Sequence, residues 1–136
     1  MKIGIWMDKE KAHIVRLREQ QEEFETIFSE LEFFNPKGGS RTRNTKWGPQ
    51  DVIQDSKYLE REKHQLKSYF NNLASAIEEA DAIALFGPAD TKEKFRKEML
   101  QHHKALEAKL KTVETVDSMT ENQIKALVRD YYSPKN

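Results

Sequence analysis

The chain has 136 residues, and its 23 Lys plus Arg balance its 23 Asp plus Glu, so the formal net charge is zero. This length fits one domain with a hydrophobic core of its own, and the zero balance excludes attraction of the whole surface to nucleic acid or to anionic lipid. The absence of cysteine excludes disulfides and thiolate metal sites, and no apolar run approaches the roughly 20 residues that span a bilayer.

The first third of the chain predicts an antiparallel β-meander. Ile3, Ile5 and Met7 alternate with polar or small residues, which is the period of a strand with two different faces. Residues 12–18 and 23–31 return to β-favouring chemistry after short polar turns. Connections this short favour antiparallel pairing.

Residues 35–50, NPKGGSRTRNTKWGPQ, interrupt this pattern. The segment holds three of the five glycines and two of the four prolines, a density that predicts a loop. It also carries four basic side chains and no acidic one. A loop of this length inside a compact domain is often functional.

The rest of the chain predicts alternating helices and strands. The expected elements are a helix at 54–80 capped by Asp55 or Ser56, a strand at 80–87 buried on both faces, a helix at 89–110, a strand at 111–116, and a helix at 121–132 opened by a Thr120–Gln123 capping box. Strands separated by helices imply parallel crossovers. The predicted fold is therefore α/β, with a mixed five-stranded sheet, an antiparallel meander plus parallel strands, and three helices.

Four segments of the chain share a pattern with one known family. They are IGIWMDKEKAHIV, NPKGGSRTR, ADAIALFGPADTKEKF and VETVDSMTENQIKALV. In order, they resemble the first hairpin, the Gly-Gly-Gln loop, the buried strand with its turn, and the closing strand and helix of the middle domain of eukaryotic and archaeal class-1 peptide-chain release factors. Pelota, a ribosome-rescue factor, carries a related domain. The resemblance implies a ribonuclease H-like fold of the translational-machinery type. We expect a single release-factor middle-domain-like domain over 1–136, which departs from the family by standing alone, without the neighbouring domains that read the codon and recruit partners.

One departure from the family decides what the resemblance implies about activity. Ser40 stands where release factors carry the Gln that helps water reach the peptidyl ester at the ribosome's peptidyl-transferase centre. Peptide release is therefore not implied, and no catalytic residue is expected. Pelota-type domains also lack this Gln, so they are the nearer analogy.

The loop is nevertheless a candidate RNA-binding site. Its basic side chains suit phosphate groups, its glycines allow the backbone to approach a ligand closely, and its tryptophan offers a stacking face. The alternative is a solvated connection whose Trp47 packs on the sheet. The predicted RNA contacts are Lys37, Gly38, Gly39, Ser40, Arg41, Arg43, Lys46 and Trp47.

The turn after the buried strand is a second candidate site. Open α/β sheets often bind ligands at the carboxyl ends of their strands, and a helix N-terminus attracts anions. Gly87, Asp90, Thr91 and Lys92 could form such an anion-binding turn. The alternative is a plain strand-to-helix turn in which Asp90 or Thr91 caps the helix.

Asp8 raises an enzymatic alternative, a metal-dependent nuclease on a ribonuclease H-like fold. That chemistry needs several carboxylates converging on Mg²⁺ or Mn²⁺, and Asp81, Asp90 and Asp117 are the other candidates. Asp8 is equally explained as a residue of the hairpin turn Asp-Lys-Glu-Lys. The four histidines form no recognisable ligand set, and no metal site or cofactor is expected.

The favoured hypothesis is a non-enzymatic, translation-related domain that binds the ribosome, ribosomal RNA or a ribosome-associated partner through residues 35–50. The nuclease and a small protein-interaction module are the alternatives. We expect a cytoplasmic protein with no membrane or DNA partner. The sequence leaves the oligomeric state open.

Overall fold

The computed structural model describes the backbone of residues 1–29 and 48–133, and the side chains of 1–29 and 60–133. The five strands in this part of the chain form one sheet in the order β3-β2-β1-β4-β5. Their bounds are β1 Lys2–Met7, β2 Lys11–Leu17, β3 Glu22–Phe28, β4 Ala82–Gly87 and β5 Leu110–Thr115. The pairs β1–β2 and β2–β3 are antiparallel, and the pairs β1–β4 and β4–β5 are parallel. The predicted α/β class and mixed sheet are confirmed.

Four helical segments accompany the sheet in the described residues. They are α1 Gly48–Ala76, α2 Thr91–His102, α3 Lys104–Glu107 and α4 Glu121–Tyr132. None of these four segments is both long enough and apolar enough to cross a membrane.

Two predictions about the helices are wrong. The first helix begins at Gly48 rather than near residue 54, with Pro49 in the first turn, where proline is favourable. Asp55 and Ser56 therefore lie inside the helix and cannot be its N-cap. The predicted helix 89–110 is divided, because His103 leaves the helical conformation at φ −140° and ψ 58°.

Helices α1, α2 and α3 cover one face of the sheet. From β1, Ile3 and Ile5 point to this side, and Leu73 of α1 and Phe95 of α2 pack over them, all fully buried. Together these side chains form the core on this face of the sheet.

Helix α4 covers the opposite face. Ile124 and Val128 pack against Trp6 and Phe86 of the central strands. Gly4 permits this close approach, because a Cβ there would lie 2.3 Å from Val128 Cγ2. Strand β4 is buried on both faces, as predicted.

Helix α1 is much longer than the sheet that it covers. Near the amino end of β1, Arg16 of β2 donates a hydrogen bond to the carbonyl of Ala76 (2.8 Å). Beyond the carboxyl end of β1, the Tyr69 hydroxyl donates to the carbonyl of Asp8 (2.9 Å), and Glu62 pairs with Lys9 at the hairpin tip (3.1 Å). From Glu62 the helix continues back to Gly48, a further length of about 21 Å at 1.5 Å per residue.

Candidate functional site

The carboxyl ends of β1, β4 and β5 lie along one edge of the sheet, where open α/β folds commonly bind ligands. The β1–β2 hairpin turn lies at the same edge, and the chain leaves β3 beside it. There the Ser29 amide donates to the carbonyl of Glu10 (2.8 Å). The turn after β4, the second sequence-predicted site, lies at this edge.

The predicted RNA-contacting residues follow Ser29 and precede α1. They lie outside the described residues, so their contact with RNA stays a prediction. The eight are Lys37, Gly38, Gly39, Ser40, Arg41, Arg43, Lys46 and Trp47. Gly48, near the end of the segment 35–50, is the first residue of α1.

The second predicted site, the turn after β4, is closely packed. A Cβ on Gly87 would lie 2.3 Å from the carbonyl oxygen of Met7, so the two parallel strands can meet here only through a glycine. Asp90 occupies the N-cap position of α2, but its side chain accepts no capping hydrogen bond. The alternative interpretation, a strand-to-helix turn capped by Asp90 or Thr91, is thus right about the turn, but the Asp90 side chain makes no cap.

Lys92 closes the turn instead. Its side chain is only 2% exposed, and its ammonium group donates to the carbonyl of Ala89 (2.5 Å). Thr91 beside it is buried as well. The charge assigned to anion binding thus already has a partner within the turn. Binding of an anion by Gly87, Asp90, Thr91 and Lys92 remains an untested prediction.

Asp8 organises the β1–β2 hairpin, as one sequence reading proposed. Its carboxylate accepts hydrogen bonds from the amides of Glu10 (2.8 Å) and Lys11 (3.0 Å). This side-chain-to-backbone pattern is a turn device of aspartate. The prediction of Asp8 as a hairpin residue is confirmed.

The carboxylates that a nuclease would need do not converge. Asp81 precedes β4, which runs parallel to β1, so Asp81 lies at the edge opposite Asp8. There it pairs with the α-amino group of Met1, which holds the pKa of the Asp81 carboxyl below its usual value. Among the described residues, no group of three His, Asp or Glu side chains could hold a metal ion.

His13 is the buried histidine on the α4 face. Its Nδ1 lies 2.8 Å from the Thr26 hydroxyl, and its ring is stacked on Phe24 and tilted against Trp6, with centroids 5.3 and 5.9 Å away. Burial lowers its pKa, and this effect outweighs the opposing attraction of Glu121. These contacts make His13 a packed structural residue.

Sequence reasoning missed a second basic surface. It lies on α2, α3 and β5, far along the chain from the predicted loop. The whole-chain charge balance hides it, and a count by segment would have found it, since residues 91–111 carry seven Lys or Arg and three Glu.

No known family model and no curated protein matches this chain. Among solved structures, the chain is similar to the crystal structure of the archaeal translation termination factor aRF1. The TM-score is 0.57 at 15% sequence identity, and the match covers 98% of this chain and 34% of that one. The predicted release-factor-like fold is therefore confirmed as a fold, and the chain spans about a third of that protein's length.

Proposed function

We propose that this chain is a non-enzymatic translation domain, equivalent to the middle domain of release factors, that binds ribosomal RNA or a ribosome-bound partner through residues 35–50. The observation that carries the proposal is the fold, because the match to a translation termination factor extends over 98% of the chain. Fold alone does not fix function. The chemistry of the segment supplies the second argument.

The composition of the segment suits an RNA backbone. Lys37, Arg41, Arg43 and Lys46 bring four positive charges without an acid, and Arg side chains bind phosphate through two parallel hydrogen bonds. Phosphate contacts of this kind give most of the affinity of sequence-independent binding. With Ser40 in the place of the catalytic Gln, the proposed role is contact without hydrolysis.

The length of α1 supports the same role. The basic segment is joined covalently to the first turn of a helix that continues about 21 Å past its contact with the hairpin. A segment attached there can enter a recess of a large RNA while the sheet stays outside.

The proposal is tested by co-sedimentation with ribosomal subunits at low and at high salt. We expect the chain to bind at low salt and the Arg41→Gln/Arg43→Gln variant to bind more weakly. The slope of log affinity against log salt should fall by about one for each charge removed. Lys63→Gln/Lys67→Gln is the matched control, because it removes two exposed charges from α1 and should bind normally. The proposal is wrong if the chain does not sediment with subunits at low salt, or if both variants bind equally well.

A further inference from the structure

Positive charge in the described chain is concentrated in one segment. Residues 91–111 carry an excess of four basic side chains over acidic ones, whereas 1–29, 60–90 and 112–133 each hold more acids than bases. A neutral chain therefore has one basic surface on its described part. We define the basic face as the exposed side chains of Lys94, Arg96, Lys97, Lys104 and Lys111 on α2, α3 and β5.

The lysines of the basic face are not used in ion pairs. Within the described residues, no carboxylate lies within 4.0 Å of the four lysine ammonium groups. Arg96 is only loosely paired, 3.9 Å from Glu107. On the sheet, by contrast, Arg16 pairs with Glu25 at 2.7 Å. A ligand phosphate could therefore bind these lysines without first breaking an internal contact.

The basic face borders an open groove of about 570 Å³ between α2, α3 and the edge strand β5. Arg96, Lys97 and Lys111 line it, and Glu93 and Glu107 are the acidic side chains on its wall. The cations come from two separate elements, so they can follow an extended polyanion rather than enclose a single small anion.

We infer that the basic face is a second contact surface for the sugar–phosphate backbone of RNA. The choice of RNA as the polyanion rests on the proposed function. An acidic protein would fit less well, because protein interfaces depend largely on aromatic anchors, and Arg96 is the sole arginine of this face. Here the sole Phe, Tyr or Trp of residues 91–111 is Phe95, which is fully buried, and a single leucine, Leu100, is the exposed large apolar side chain. Contacts of this kind position an RNA without reading its sequence.

The test measures binding of a short RNA duplex over a range of salt concentrations. Lys97→Gln/Lys111→Gln should weaken binding and reduce the slope of log affinity against log salt by about two, about one for each charge removed. Lys63→Gln/Lys67→Gln removes the same charge from α1 and should keep the slope. An effect of net charge alone would reduce the slope equally in both variants.

The outcomes separate this inference from the proposed function. The inference is wrong if the basic-face variant and its control show equal slopes, or if the unchanged chain does not bind the duplex at low salt. In either case the ribosome experiment still decides the role of residues 35–50. If Arg41→Gln/Arg43→Gln sediments normally with subunits while Lys97→Gln/Lys111→Gln loses duplex binding, the basic face stands and the proposed function fails.

Discussion

The imidazole of His13 is enclosed by Trp6, Phe24 and the Thr26 hydroxyl on the α4 side of the sheet. Burial lowers its pKa from the ordinary 6.5. Glu121 and Asp8 oppose this shift, and Lys11 adds to it. The folded chain therefore favours the neutral ring, and protonation favours unfolding.

The stability of the fold should consequently depend on pH through His13. Above about pH 6.5 the ring is neutral in both states, so the contribution of its burial is complete. As the pH falls from 6.5 toward the lower folded pKa, the unfolded chain binds the proton first, and the free energy of unfolding decreases. Urea midpoints measured from about pH 7 to about pH 5 should show this decrease.

The matched comparison uses a second histidine. His13→Gln should flatten the profile, whereas His64→Gln, on the exposed face of α1, should leave it unchanged. A His13→Gln protein with the same pH profile as the original would show that another group titrates.

Single residues were predictable where their chemistry is local. The role of Asp8 in the hairpin turn follows from the turn chemistry of aspartate, and the hydrogen bonds that its carboxylate accepts from the following amides confirm it. Lys92 was not predictable, since a lysine in a first helical turn is ordinarily exposed. Its side chain passes beside Gly87, which lies against Met7 only when the two parallel strands have paired.

Helix α4 illustrates what sequence can establish for an element. The Thr120 hydroxyl accepts the Gln123 amide (3.2 Å), and the Gln123 side chain accepts the Thr120 amide (2.9 Å), so the predicted capping box is confirmed. The division between α2 and α3 was not visible. Phe95, Met99 and Leu106 keep a helical apolar spacing across it, and periodicity cannot detect one non-helical residue at His103.

Thr120→Ala should lower the free energy of unfolding by about 1 kcal/mol, because the Gln123 amide loses the hydroxyl that accepts its hydrogen bond. Thr120→Ser keeps the hydroxyl and should lose much less. Denaturant unfolding of both variants measures the difference. Equal losses would mean that the hydroxyl contributes nothing.

At the scale of the whole molecule, two apolar clusters share one sheet. Leu73 belongs to the cluster under α1, and Ile124 belongs to the cluster under α4. The central strands β1 and β4 contribute side chains to both. Neither cluster can lose its strands without exposing the other, so the two should unfold together.

Leu73→Ala and Ile124→Ala test this cooperativity, each with an expected cost of about 2–5 kcal/mol. In a Trp47→Phe background, Trp6 fluorescence reports on the α4 side and far-ultraviolet circular dichroism reports on the whole chain. Both probes should give the same midpoint for each variant. Separate midpoints for Leu73→Ala would indicate that the two sides unfold independently.

The architecture was largely predictable, and the candidate surfaces only in part. Connection lengths fixed which strands pair antiparallel and which pair parallel, and the fully apolar run at 82–87 identified the central strand. The basic face depends on bringing α2 beside β5, and the zero net charge concealed it. The 35–50 segment was recognised by composition and resemblance, and its role still rests on these.

The length of α1 has a mechanical consequence. The helix is held by contacts at Ala76, Tyr69 and Glu62, and from Glu62 its amino end lies about 21 Å away along the axis. It thus has an inner half that is fixed to the sheet and the hairpin, and an outer half of about equal length. A tilt of about 10° at Glu62 would carry the first turn through about 4 Å, so small adjustments where the helix meets the hairpin become larger displacements at its tip.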